Sequence, residues 1–270
     1  MKAAIITGGN RGIGLAIVQK LLEEAPEFQK VCVTSTDFNK AKEVTDNFQA
    51  QFPAVQMIPG QLNLMEPSSV TSFVEMIQST IGHFDVLINN AGMAYKNNRP
   101  LDEEVVVNTN RVNFFGTIEL TDQLLPMVTP NGHIIFVSSQ SGKLASIPSE
   151  EFRQRFLAPD LTRDQLFALE REFKEVVIQN TFEETGWKKS GYGISKTLLN
   201  GYVRILDREL RSQGSLVRVN ALCPGSIKTD MSGAYGKHPP EVGARTPIFL
   251  VKDTSNATGK FWYESAESEW

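Results

Sequence analysis

The chain lacks most of what staples a small fold or directs a protein to a special environment. It has only two cysteines in 270 residues, Cys32 and Cys223. They form no CxxC and no zinc spacing, which argues against a disulfide framework and for a reducing compartment. Its three histidines, His83, His133 and His238, are scattered with no HExxH pattern, so no metal site and no function is assigned to them. No apolar run approaches a membrane span. The apolar stretch inside Met1–Gly8 is far too short for a secretory leader and reads as a strand. Asn256-Ala257-Thr258 is then a chance sequon, and Ser268-Glu269-Trp270 is not an ER or peroxisomal address. Charge of one sign is also missing. Lys and Arg total 27 against 31 Asp and Glu, a net charge of −4, which disfavours a general polyanion binder. A cytoplasmic location, with neither nucleic acid nor membrane as a partner, is the expectation.

What is present is alternation. Short apolar runs (Ala3–Ile6, Val31–Thr34, Val55–Ile58, Asp85–Ile88, Gly132–Val137, Val217–Leu222, and a seventh at Lys260–Tyr263) are separated by helical patterns. This is the signature of an α/β fold on a parallel sheet. Helices are expected after the first strand, over Asn39–Gln51, from Pro67 as a first helical residue, over Glu103–Leu125 with Pro126 as the stop, and over Tyr192–Leu210. Residues 143–189 break the alternation. They are charged and helical, with Thr162 and Gln165 spaced as a capping box and an apolar stripe from Leu166 to Val177. No internal repeat or low-complexity linker is evident, so one domain, residues 1–270, with a helical insertion at about 143–189 is expected.

Three features converge on the C-terminal ends of the strands. The first is Thr7-Gly8-Gly9-Asn10-Arg11-Gly12-Ile13-Gly14, between the first strand and the first helix. Gly8 suits a tight turn, Gly12 a close backbone approach to a ligand, and Gly14 close helix–sheet packing, and the helix N-terminus suits a pyrophosphate. The spacing is GxxxGxG and not GxGxxG, so alone it is a weak signal, with a plain strand–helix turn as the alternative. The acid that would meet an NAD ribose after the second strand is replaced by Thr34-Ser35-Thr36, with Asp37 beyond. Arg11 is either a 2′-phosphate ligand, favouring NADP, or a solvated surface charge. The second feature is Tyr192 and Lys196, four apart on one helix face, where an ammonium would favour the ionised phenol. The third is the pair of strand ends Val137-Ser138-Ser139 and Asn89-Asn90-Ala91-Gly92.

Taken in order with Asn113-Phe114-Phe115-Gly116-Thr117, Cys223-Pro224-Gly225 and Thr229-Asp230-Met231, these residues resemble the short-chain dehydrogenase/reductases, and among them the monomeric carbonyl reductases. The resemblance runs nearly the full chain. It implies a single Rossmann-type, doubly wound parallel sheet of about seven strands, with the insertion before the catalytic Tyr helix. It implies NADPH as cofactor and a small carbonyl compound (aldehyde, ketone or quinone) as substrate. Tyr192 would be the proton donor, Lys196 would lower its pKa and hold the nicotinamide ribose, and Ser139, with Ser138 as its neighbour, would bind the substrate oxygen. Asn113 would hold a water in a proton relay behind Lys196. The cofactor would be bordered by Gly8, Asn10, Arg11, Gly12, Ile13 and Gly14 of the turn, and by Asn63 and Leu64 near the adenine. Asn90, Ala91 and Gly92 would border it on the adenosine ribose side. Pro224, Gly225 and Ile227 would border it elsewhere, with Thr229 at the carboxamide.

The sequence departs from that pattern at Thr36, where relatives often carry Arg, at Asn63, where Asp is usual, and at Ser226, where a Trp follows Pro-Gly. The insertion resembles the segment that covers the oligomer surface of relatives, which implies a monomer; a lid or partner-binding helix pair is the alternative. Cys223 beside the Pro-Gly turn reads as a small buried hydrophobe rather than an oxidisable thiol. Lys188, Lys189 and Arg153 read as solvated charges. Phe152, Phe156 and Trp187 are either insertion core or pocket wall. Two other functions stay open: an NAD-dependent alcohol dehydrogenase, and a non-catalytic nucleotide-sensing protein on the same fold.

Overall fold

The computed structural model describes residues 1–96 and 98–270. Its first half alternates β1 (Lys2–Ile6), α1 (Gly12–Glu24), β2 (Phe28–Ser35), α2 (Phe38–Gln51), β3 (Gln56–Gln61), α3 (Pro67–Thr80) and β4 (Phe84–Asn89). Then follow α4 (Glu103–Asn110), a π-helical turn (Arg111–Gly116), α5 (Thr117–Leu124) and β5 (Val128–Val137). Helices α6 (Glu150–Leu157), α7 (Arg163–Gln179) and α8 (Phe182–Thr185) precede α9 (Gly191–Ser212). The chain ends with β6 (Arg218–Cys223), α10 (Pro240–Gly243), α11 (Arg245–Lys252), β7 (Phe261–Tyr263) and β8 (Ala266–Ser268).

The strands form one sheet in the order β3-β2-β1-β4-β5-β6-β7-β8. Every pairing is parallel except the last, β7 with β8, which is antiparallel. The sheet is thus the expected doubly wound one, with an eighth strand that a three-residue segment did not advertise. Central strands read as unbroken apolar runs because both faces are covered. In β1, Ala3 and Ile5 face one apolar cluster with Phe73, Phe114 and Tyr202, while Ala4 and Ile6 face the other with Ile17, Leu21 and Ile248. Strand order reverses between β1 and β4, which opens a crevice above their C-terminal ends.

Local signals placed most helices. Pro67 is at the first turn of α3, and Thr162 and Gln165 make a reciprocal capping box at α7. The expected unbroken helix from Glu103 to Leu125 is instead split by the π turn at Arg111–Gly116. The cause lies in packing: a Cβ on Gly116 would overlap the Leu64 carbonyl, so this turn is pressed against the loop after β3. Among the described residues, no helix is long and apolar enough to cross a membrane, and no three His, Cys, Asp or Glu are grouped to hold a metal.

The insertion has its own core. Trp187 lies 4.7 Å from Phe152, 6.3 Å from Phe156 and 5.3 Å from Phe173 between ring centroids, so these residues are core and not pocket wall. Arg155 grips Glu172 with two bonds of 3.1 and 2.6 Å, and the Trp187 indole donates to the same carboxylate at 3.1 Å. The stripe of α7 is buried, with Leu166 seated against Gly201 of α9. Arg163 pins the start of α7 to Asp122 of α5 and Glu209 of α9, at 2.6 Å each.

His133 of β5 is 1% exposed and pairs in register with Arg218. The Asn220 side chain is fixed because Nδ2 donates to the Ala257 carbonyl at 2.8 Å and Oδ1 accepts from Lys260 N at 3.0 Å. Its amide therefore donates to His133 Nε2, 2.9 Å away, and the imidazole is neutral. Burial, and then the positive charge of Arg218, push the His133 pKa down to about 3 from an ordinary 6.5. A base whose folded pKa is depressed stabilises the fold above its unfolded pKa and loses that contribution as pH falls. Between pH 6.5 and about 3 the loss approaches ~1.4 kcal/mol per pH unit. His133→Gln is expected to flatten the pH dependence of urea-unfolding free energy in that window; parallel curves for the two proteins would refute the assignment.

Candidate active site

The crevice at the β1/β4 reversal is a cleft of about 840 Å³. Its floor is a strap between the two strand ends. Thr7 Oγ1 accepts from the amides of Asn90 and Ala91, both at 2.9 Å. Asn90 Nδ2 donates back to the carbonyls of Thr7 at 2.9 Å and Gly8 at 3.2 Å. Gly8 has φ +63°, a left-handed conformation that favours glycine. A Cβ on Gly14 would overlap the Gly8 carbonyl and lie 2.5 Å from Asn90 Nδ2. Gly14 is therefore needed for the strap itself, more than for helix–sheet packing. The turn opens α1, whose first residues Gly12, Ile13 and Gly14 line the cleft, and a helix N-terminus there is a suitable cradle for a pyrophosphate.

The cleft wall holds the residues expected at the cofactor except two. Gly8, Asn10, Arg11, Gly12, Ile13 and Gly14 line one end, Asn63, Leu64, Asn90, Ala91 and Gly92 the middle, and Tyr192, Lys196, Pro224 and Thr229 the other side. Gly225 and Ile227 are off the wall. Ile227 is only 4% exposed and packs against Gly243 beneath the loop that carries Thr229, so it supports that loop. Arg11 is bonded to Asp230 across the mouth at 2.5 Å, with both side chains open to solvent. Sequence reasoning missed Lys40, which shares the wall with Ser35, Thr36 and Arg11 and has no carboxylate partner among the described residues. Its only signal was its position, one helical turn beyond Thr36 near the start of α2.

At the far end, α9 and β5 bring the chemical groups together. Ser190 caps α9 by accepting from Gly193 N at 3.0 Å, which fixes where the helix begins and hence where Tyr192 sits. Tyr192, half-buried on the cleft wall, lies close to Ser139, and desolvation, partly offset by Ser139, pushes its pKa up to about 12. Lys196 Nζ donates to the Val137 carbonyl at 2.9 Å and lies 5.8 Å from the Tyr192 ring centroid. Burial pushes that ammonium down to about 8. Both groups are partly withdrawn from water, and desolvation favours the neutral form of each. A protonated phenol at neutral pH is what a proton donor requires.

Ser139 and Ser138 separate cleanly. Ser139 lies close to Tyr192 but off the cleft wall, whereas Ser138 is 2% exposed, lines the cleft and has an Oγ with no partner among the described residues. Asn113, in the π turn, is fully buried behind the cleft. Its Oδ1 accepts from Met93 N at 2.7 Å, and its Nδ2 donates to Met93 O at 2.8 Å and Ser195 Oγ at 3.0 Å. The amide is thus committed to protein groups, tying the segment after β4 to α9. Cys223 is buried beside Tyr192 and Lys196, and burial pushes its thiol up, which fits the reading as a small hydrophobe.

This geometry has known counterparts. Residues 2–150 and 180–240 match the pattern of the family described as short chain dehydrogenase. The chain belongs to that family. The unmatched residues between fall in the insertion, from α6 into α7. Human carbonyl reductase (NADPH) 1 is 32% identical over 274 residues, covering 99% of this chain and 98% of the relative. Rat carbonyl reductase (NADPH) 3 is 33% identical over 261 residues, covering 95% and 93%. The structure of salutaridine reductase from Papaver somniferum superposes with a TM-score of 0.84 at 24% identity, covering 98% of this chain and all of that one, which speaks to the fold.

Proposed function

We propose that this short-chain dehydrogenase is an NADPH-dependent carbonyl reductase, converting aldehydes, ketones or quinones to alcohols. One observation carries the reading: a half-buried tyrosine close to Ser139, its pKa pushed up by desolvation, on the wall of a long cleft suited to a dinucleotide. The full-length similarity to the NADPH carbonyl reductases supports it. The cleft fits the cofactor on its own chemistry. Free backbone amides and the close approach at Gly12 suit the pyrophosphate, and the unpartnered Ser138 hydroxyl offers a polar contact near Tyr192. Arg11 and Lys40 share the cleft wall with Thr36 and offer positive charge for a 2′-phosphate. The bound cofactor supplies the hydride.

The chain's own residues do the rest. Ser139 and Tyr192 donate hydrogen bonds to the substrate oxygen, where negative charge develops, and Tyr192 passes its proton to that oxygen. Lys196, protonated below about pH 8, stabilises the resulting tyrosinate across the ring contact. Asn113 is a positioning residue, holding Met93 and α9 in register. Two buried, unpaired cysteines fit the cytoplasm as compartment. The docking of α7 over α4 and α9 covers helix faces that would otherwise be free, and the protein is read as a monomer.

Tyr192→Phe is expected to lower kcat by roughly 10²–10⁴-fold, with NADPH affinity by fluorescence titration little changed; near-normal turnover would sink the proton-donor role. Arg11→Ala and Lys40→Ala should each raise KM for NADPH by roughly tenfold and leave KM for NADH nearly unaltered, and equal effects on both cofactors would remove them from the 2′-phosphate. Light scattering after size exclusion should give the mass of one chain, and a concentration-independent tetramer would overturn the monomer.

A further inference from the structure

Lys188 does not behave as the solvated charge its sequence context suggests. It follows Trp187, which is 2% exposed and locked into the insertion core, and precedes the Ser190 cap of α9. Its side chain is half-buried, and Nζ donates to the Ser141 carbonyl at 2.9 Å. That carbonyl belongs to the short turn that begins at Ser139, whose Oγ accepts from Ser141 N at 3.1 Å. A Cβ on Gly193, the neighbour of Tyr192, would lie 3.1 Å from Lys188 Nζ and 3.0 Å from the same Ser141 carbonyl. The ammonium thus sits against both backbone segments that carry the oxygen-binding groups. The intervening bonds and single residue place it within about 10 Å of Ser139 Oγ.

No carboxylate pairs with Lys188 among the described residues. The neighbouring cation differs, since Lys189 bonds Asn180 and lies over the Phe182 ring, away from Ser141. Burial lowers the Lys188 pKa, with no opposing acidic group acting on it. A cation partly removed from water without a counter-charge is unfavourable, and an incoming anion would relieve that cost.

We infer that Lys188 is a specificity-determining residue that binds an anionic group, carboxylate-like, on a substrate carrying it about one aromatic ring from the reacting carbonyl. The inference rests on the carbonyl reductase reading. The reaction is balanced as before: hydride from NADPH to the carbonyl carbon, the Tyr192 proton to its oxygen, NADP⁺ and an alcohol as products, and the carboxylate unchanged.

The test compares 4-formylbenzoate with its methyl ester, similar in size; the ester activates the aldehyde more, and comparing their ratio between protein variants cancels that difference. NADPH oxidation is followed for the full-length protein, Lys188→Met and Lys188→Arg. The ratio of kcat/KM, carboxylate over ester, is expected to fall about tenfold in Lys188→Met, chiefly through KM, and to recover in Lys188→Arg. Raising salt from about 50 to about 500 mM should narrow the ratio in the unsubstituted protein and leave it nearly constant in Lys188→Met. An unchanged ratio in Lys188→Met, with both aldehydes reduced, overturns the inference alone. Failure of every protein to reduce either aldehyde overturns the carbonyl reductase reading and this inference with it.

Discussion

The strap between Thr7 and Asn90 is the contact on which the rest of the cleft depends. Parallel strands on either side of a reversal have no crossover helix to cover the gap between their ends. Here β1 and β4 are joined past their last ladder bonds by side chains instead. Thr7 Oγ1 takes two amides, and Asn90 Nδ2 returns to two carbonyls. Three of these bonds reach backbone groups of Thr7, Gly8 and Ala91 beyond the end of the ladder, and the fourth adds to the bond Asn90 N makes with the Ile88 carbonyl. Because those groups belong to the Gly-rich turn and to Ala91, the cleft floor is set before any ligand arrives. Gly14 is the steric condition for this, since any side chain there would occupy the place of the Asn90 amide.

The far end of the cleft obeys a different constraint, the desolvation of two ionisable groups four residues apart. Spacing alone shows only that Tyr192 and Lys196 share a helix face. It cannot show that α9 is buried along nearly its whole length, from Gly191 to Leu206, which decides the protonation states. With the phenol pushed up to about 12 and the ammonium down only to about 8, tyrosine is neutral while lysine keeps most of its charge at neutral pH. The pair is then poised so that charge appears on tyrosine only as the substrate oxygen takes its proton, with the lysine already in place to balance it.

What the sequence made legible follows from which signals are local. The parallel order, the Gly-rich turn, the first-turn Pro67 and the Thr162–Gln165 capping box are each written within a few residues, and all appear in the structure. The π turn was not legible, because Arg111–Gly116 reads as ordinary helix until the loop after β3 presses on Gly116. Ile227 faces inward rather than to the cleft because Gly243, distant in sequence, makes room for it. Lys40 and Lys188 were invisible for the same reason: a lysine becomes a ligand or a surface charge according to which backbone it lies against, and that is tertiary information. The β7–β8 hairpin turns on Glu264 and Ser265, both at positive φ, without the glycine or asparagine that usually signals such a turn.

The insertion links these threads. Its aromatic core holds Trp187, and the Glu172 carboxylate fixes the indole from the opposite helix while itself clamped by Arg155. Three residues after that anchor, Ser190 caps α9, and two further on stands Tyr192. There is no slack in so short a connection, since three residues span at most about 10 Å. The position of Tyr192 is therefore coupled to the packing of a segment outside the family pattern, and a change in the Phe152–Phe173–Trp187 cluster would reach the proton donor through the backbone. The same tether sets Lys188 against Ser141. An insertion that covers α9 must pass beside the active site on its way back, and its last residues lie against the turn that begins at Ser139. Coverage of the helix and placement of the Tyr192 segment are, in this geometry, two consequences of one connection.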